Sequence, residues 1–70
     1  MDWFDTPQSS NIARFRYEAE TLTLEVQFKS GNGYQYFDVP EKVYESFCQA
    51  DSKGKFFNLE IRGIYRYARC

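Results

Sequence analysis

The stretch GYQYFDVP, residues 33–40, decides how this 70-residue chain folds. In an extended backbone successive side chains alternate between faces, so Tyr34 and Tyr36 share one face and Phe37 turns to the other. The two tyrosines either complete a core or form an exposed aromatic platform, and the preceding turn selects between these. If Asn32-Gly33 is a two-residue hairpin turn, Phe28 falls opposite Phe37 and both tyrosines stand away from the core. If Lys29–Gly33 is a longer loop, Phe28 falls opposite Tyr34 and Val26 opposite Tyr36. The tyrosines then complete the core, with their hydroxyls near its rim. A one-residue slip exchanges the faces. Asn-Gly favours the first arrangement; the larger cross-strand aromatic cluster favours the second, which is the one adopted here.

Upstream, TLTLEVQF (residues 21–28) places Leu22, Leu24, Val26 and Phe28 on one face and Thr23, Glu25 and Gln27 on the other, the pattern of a half-buried strand. Ala13, Phe15 and Tyr17 alternate with Arg14 and Arg16 in the same way. Three strands joined by short loops predict an antiparallel meander. Downstream, Pro40 suits the first turn of a helix, where its missing N–H costs nothing, with Asp38 or Val39 as cap. Val43, Phe47 and Ala50 then recur at helical spacing, widened by Tyr44 and Cys48. Cys48 reads as a small buried hydrophobe.

The segment after Asp51 carries two signals. Ser52 as cap and Gly63 as stop suggest a helix over residues 53–62. Phe57, Leu59 and Ile61, alternating with Asn58, Glu60 and Arg62, read equally as a strand. The chain then runs out in IYRYARC, again alternating. The expected fold is α+β: one small domain, a three-stranded antiparallel meander followed by two short helices and an extended C-terminal tail. Residues 1–8 are expected to form a flexible arm, although Trp3 and Phe4 are costly to leave in water, and residues 9–70 the domain.

Composition bounds the function. The chain is 43% hydrophobic and 20% aromatic, dense enough for a core in a domain this short. No membrane span or leader pattern is legible, so a cytoplasmic protein is expected. Cys48 and Cys70 are expected to stay reduced. Without histidine, histidine-based acid–base catalysis and histidine zinc sites are excluded. The glycines of KSGNG lack the spacing of a phosphate loop and precede a strand. No enzyme, metal or cofactor is expected.

The net charge of −1 is unevenly spread. Residues 1–51 hold nine acids against four bases, whereas residues 52–70 hold five bases against Glu60 alone. A solvated basic tail is the plain account. The alternative is recognition: Lys53, Lys55, Arg62, Arg66 and Arg69 holding phosphate while Tyr65, Tyr67 and Tyr34 or Tyr36 stack on bases.

The order Leu24-x-Val26-x-Phe28, Gly31, Tyr34-x-Tyr36, Val39-Pro40, Ala50-x-Ser52-x-Gly54, Phe57-Asn58, Ile61-Arg62 and Tyr65 resembles the KTSC domain, over about residues 9–68. That family takes its name from the C-terminus of some lysyl-tRNA synthetases and includes short stand-alone bacterial and phage proteins. The resemblance implies a three-stranded sheet followed by helices, tips residues 52–62 towards helix, and suggests RNA binding. It sets Asn58 and Arg62 four apart on one helical face. The leading expectation is a non-catalytic module for RNA or a nucleotide-type ligand. The alternatives are a protein-interaction module, an adaptor or a blocker of a host factor, and sequestration of a nucleotide messenger.

Overall fold

Gly31 settles the hairpin. Its φ of +99° lies where glycine alone is comfortable, and it closes a three-residue loop, Lys29-Ser30-Gly31. The Phe28 amide donates to the Asn32 carbonyl at 2.8 Å, and the Gly31 amide donates back to the Phe28 carbonyl at 2.9 Å. A three-residue turn ending in a left-handed glycine is a common hairpin closure. It pairs Val26 with Tyr34 and Leu24 with Tyr36, two residues away from the register expected for the longer loop. A shift of two preserves the faces, so both tyrosines point to the core side, and Tyr36 is buried.

The computed structural model describes residues 3–6 and 9–69. The strands are β1 (Phe4–Asp5), β2 (Ile12–Glu18), β3 (Thr23–Phe28), β4 (Gly33–Tyr36) and β5 (Tyr67–Arg69); α1 (Glu41–Gln49) and α2 (Lys53–Glu60) lie between β4 and β5. The sheet is antiparallel and five-stranded, in the order β1-β2-β3-β4-β5. The three-stranded meander is therefore its centre, and both edges were missed. Phe4, expected in the loose arm, pairs with Phe15 and stacks on its ring at 5.0 Å. The expected tail returns as β5, pairing Tyr67 with Tyr36 and Arg69 with Tyr34. Trp3 lies beneath the Arg14 and Arg16 guanidiniums, at 4.1 and 4.4 Å, and Thr6 is buried; residues 1, 2, 7 and 8 and Cys70 lie outside the described residues.

Three further expectations are corrected. Ala13 is a bulge: Ile12 pairs with Phe28 and Arg14 with Gln27. The extra residue rotates the strand, so Ile12 rather than Ala13 joins Phe15 and Tyr17 in the core. Leu22 sits in the β2–β3 turn at φ 54° and is exposed. The third strand, expected to run to Val39, ends three residues early at Tyr36; Asp38, at φ 59°, kinks the chain there, and Val39 enters the core by another route.

The helices cover one face. Pro40 itself is the α1 cap, with no side-chain hydrogen bond, in place of Asp38 or Val39. Phe47 packs on Phe15 at 4.2 Å and Tyr44 stacks on Tyr17 at 4.6 Å. Cys48 is only half-buried, packed against the core's rim. Ser52 caps α2 by accepting from the Lys55 amide, and α2 sets Phe57 between Phe28 and Tyr36, at 5.4 and 5.3 Å. The Tyr17 hydroxyl donates to the Val39 carbonyl at 2.5 Å, satisfying a buried polar group that would otherwise be costly.

Because Tyr36 is wedged beneath Phe57, Tyr36→Ala leaves a large cavity. It should lower unfolding free energy by about 3–5 kcal/mol, by analogy with buried Phe→Ala. A urea melt close to that of the parent would mean that the tyrosine contributes little packing.

The core phenols also predict alkaline behaviour. Burial and then the Glu41 carboxylate push the Tyr17 pKa up. Burial and a hydrogen bond with Cys48 push Tyr44 up to about 12. These groups keep their protons in the folded state where the unfolded chain has lost them. Their stabilisation is complete below about pH 10 and declines as pH climbs from about 10 towards 12. Urea midpoints should fall across that window; a flat profile would contradict the raised pKa values.

Candidate functional site

Helix α2 ends so as to display Arg62. The Phe57 carbonyl accepts from both the Ile61 amide, at 3.0 Å, and the Arg62 amide, at 2.8 Å. Gly63 follows at φ 79°, a left-handed stop of the kind glycine provides. The Ile64 and Tyr65 amides then bond the Ile61 carbonyl. Ile61 is thereby buried while Arg62 stays exposed. Arg62 thus lies in the turn after α2 rather than in the helix, and it still shares a groove with Asn58.

That groove, of 630 Å³, runs between the end of α2 and the β3–β4 hairpin with β5 behind it. This is a volume suited to a small ligand or part of a larger one. Its aromatic walls are Phe28, Phe57, Tyr34, Tyr36 and Tyr67, with Lys29 and Arg62 as its cations. The Tyr67 ring meets Tyr34 edge-on at 5.8 Å and lies tilted at 5.7 Å from Tyr36. Tyr67 is 62% exposed, so one aromatic face is open for stacking. Among the described residues, no carboxylate lines the groove. Two other clefts differ in this respect: one includes Asp5 and Asp51, the other Glu18 and Glu25.

Electrostatics place Arg62 within reach of the phenols. Burial pushes the Tyr36 hydroxyl's pKa up and the neighbouring Tyr34 adds to that, whereas the Arg62 guanidinium pulls it down. The phenol stays protonated at neutral pH and so remains a hydrogen-bond donor. No ion pair among the described residues engages Arg62.

The ten residues singled out from the sequence are divided by the fold. Tyr34, Tyr36, Asn58, Arg62 and Tyr67 meet at the groove. Arg69 stands at its rim, donating to the Asn32 side chain at 2.8 Å. Lys53 and Lys55 line the neighbouring cleft, and the Lys53 ammonium donates to the Ala50 carbonyl at 2.6 Å. Arg66 is turned elsewhere: it lies 5.4 Å from the Phe37 ring and 3.3 Å from Asp38. Tyr65 is half-buried against the core. The expected single basic patch is therefore a groove with one strongly placed arginine. Sequence reasoning missed Phe28, Phe57, Asn11, Asn32 and Lys29 as lining residues. Phe28 and Phe57 looked like ordinary core, and Asn11 and Lys29 approach only through tertiary pairing: the Lys29 amide donates to the Asn11 carbonyl at 2.8 Å.

Comparison with known proteins matches this arrangement to one family. The model of the KTSC domain matches residues 8–67. Lysine–tRNA ligases of Nostoc punctiforme and Trichormus variabilis are each 44% identical over 61 residues, 87% of this chain but only 11% of theirs. An uncharacterized protein of Stutzerimonas stutzeri is 41% identical over 63 residues, 89% of either chain. The crystal structure of a KTSC domain protein from Yersinia pestis superposes with a TM-score of 0.91 at 34% identity, covering 99% of this chain and 96% of that one.

Proposed function

The chain belongs to the KTSC domain family, and from that premise we propose that it is a non-catalytic module that binds RNA in the groove beside α2. The observation that carries the reading is the pairing of an exposed arginine with an open tyrosine face in a groove that no carboxylate of the described residues lines. Tyr67 takes a base by stacking, since every base offers a π-face. The planar Arg62 fork grips phosphate, for which guanidinium is better shaped than ammonium. Tyr34, Tyr36 and Asn58 supply neutral donors around it. Supporting the choice of RNA, the domain recurs as a small part of proteins named lysine–tRNA ligases. No helix among the described residues is long and apolar enough to cross a membrane, and no group of metal-ligating side chains occurs among them.

A second reading has one observation in its favour. Leu59 and Ile64, on either side of Arg62 in sequence, are 62% and 59% exposed, which suits an apolar protein partner. Capture from bacterial lysate with and without nuclease separates the two. A protein retained after nuclease supports the second reading; a loss of all bound material supports the first.

The decisive variant is Arg62→Ala. As an exposed substitution it should shift stability by no more than ~0.5 kcal/mol, yet affinity for short single-stranded RNA should fall clearly. Arg62→Lys should recover part of that loss, and binding by the parent should weaken as salt rises. Absence of RNA binding at low salt would overturn the proposal. So would an Arg62→Ala protein that binds as well as the parent.

A further inference from the structure

The groove does not stand alone. Ser10, Asn11 and Asn58 line both it and the 710 Å³ cleft at the start of α2, so the two hollows meet across a saddle. The saddle is held tightly. The Ser9 hydroxyl accepts from the Ile12 amide and donates to the Asn11 side chain at 3.3 Å. Gly54 lets the first turn of α2 lie against that side chain: a Cβ at this position would come within 2.9 Å of Asn11 Oδ1. A ligand lying in the groove and extending past Asn58 enters the cleft directly.

The chemistry changes across the saddle. On the groove side stand Arg62 and the phenols. On the cleft side, Asp5 and Asp51 offset Lys53 and Lys55, and the Lys53 ammonium is already bonded to the Ala50 carbonyl. A second phosphate gains little there. Serine and asparagine side chains with an exposed carboxylate instead suit a neutral, hydroxyl-rich group, because a carboxylate is an acceptor only and needs a donor. Both Asp5 and Asp51 line the cleft. Asp51 directly precedes the Ser52 cap of α2, whose first turn brings Gly54 to the saddle, and it is the acceptor on the α2 side.

Resting on the reading of the groove as an RNA site, we infer that the cleft is a ribose subsite. A single strand lays one nucleotide's base and phosphate against Tyr67 and Arg62. The adjoining nucleotide's 2′-hydroxyl then donates to Asp51 across the Asn58 saddle. The 2′-hydroxyl is the group by which a protein tells RNA from DNA. Stacking on Tyr67 and the phosphate contact of Arg62 are common to RNA and DNA, so discrimination by sugar needs a further contact such as the cleft's carboxylate.

The test measures binding of fluorescein-labelled rU4, rA4, dU4 and dA4 at low salt, comparing sugars with the base held constant. The ribo-oligomers should bind about tenfold tighter than their deoxy counterparts, the scale of one hydrogen bond to a charged group. Asp51→Asn should shrink that ratio; being a ratio, it is insensitive to the general gain in anion affinity from losing a negative charge. If Asp51→Asn does not fold, 2′-fluoro oligomers serve with the parent protein. They lack the donor and should bind like DNA. Equal ribo and deoxy affinities, a ratio unchanged by Asp51→Asn, or 2′-fluoro oligomers binding like RNA would overturn the ribose subsite. Where all four oligomers still bind and Arg62→Ala weakens them together, the groove reading stands without the subsite; where none binds, both fall.

Discussion

The left-handed glycine at the β3–β4 turn governs everything built on that hairpin. Three loop residues, and not two or four, place Leu24 opposite Tyr36 and Val26 opposite Tyr34. That parity turns a row of tyrosines towards the helices. Phe57 then has an aromatic floor to settle on, and α2 is held above the sheet by the contacts of Phe57 with Phe28 and Tyr36. Lys29, Ser30 and Gly31 are exposed, and Lys29 ties the loop to the segment before β2, its amide donating to the Asn11 carbonyl and its ammonium to the Ser9 carbonyl. A small local preference of one residue is thus converted into the side assignment of two strands, because the side-chain period of a strand allows only two answers.

The sequence was most legible where a local rule and the tertiary outcome coincide. The alternation from Leu24 to Phe28, the helical stripe through Val43 and Phe47, and the Ser52 and Gly63 signals around α2 each express a short-range preference that the core then rewards. The edges were illegible for a physical reason. Phe4–Asp5 and Tyr67–Arg69 are two and three residues long, too short to display a period, and each exists only because a neighbouring strand offers unpaired backbone groups. The bulge at Ala13 misled in another way. It changes which residue faces in without changing the apparent alternation of the residues after it. Leu22 shows that an apolar residue in phase with its neighbours still leaves the core when the turn claims it.

The candidate site was half legible. Tyr34, Tyr36, Asn58, Arg62 and Tyr67 converge as a set, although they come from β4, α2 and its turn, and β5. A count of charges along the chain suggested a patch of five bases. In three dimensions Arg66 leaves for the far face, and the lysines of α2 sit among aspartates. Charge balance by segment does not report charge balance by surface. The shortage of acids after residue 51 mattered less than the absence of any described acid from the lining that Arg62 shares.

The connection between β4 and β5 has a kinetic meaning. Strands β2, β3 and β4 follow one another through short turns, whereas β5 reaches its partner only after both helices have been traversed. Closing that long excursion carries the largest loop entropy in the domain and yields only a three-residue strand. Contacts close in sequence are made first, and distant pairings wait for them. The hairpins close at the least entropic cost, whereas the open ring of the groove sits on the strand whose pairing costs the most. The stacking face of the site is thus carried by the most expensive closure in the sheet.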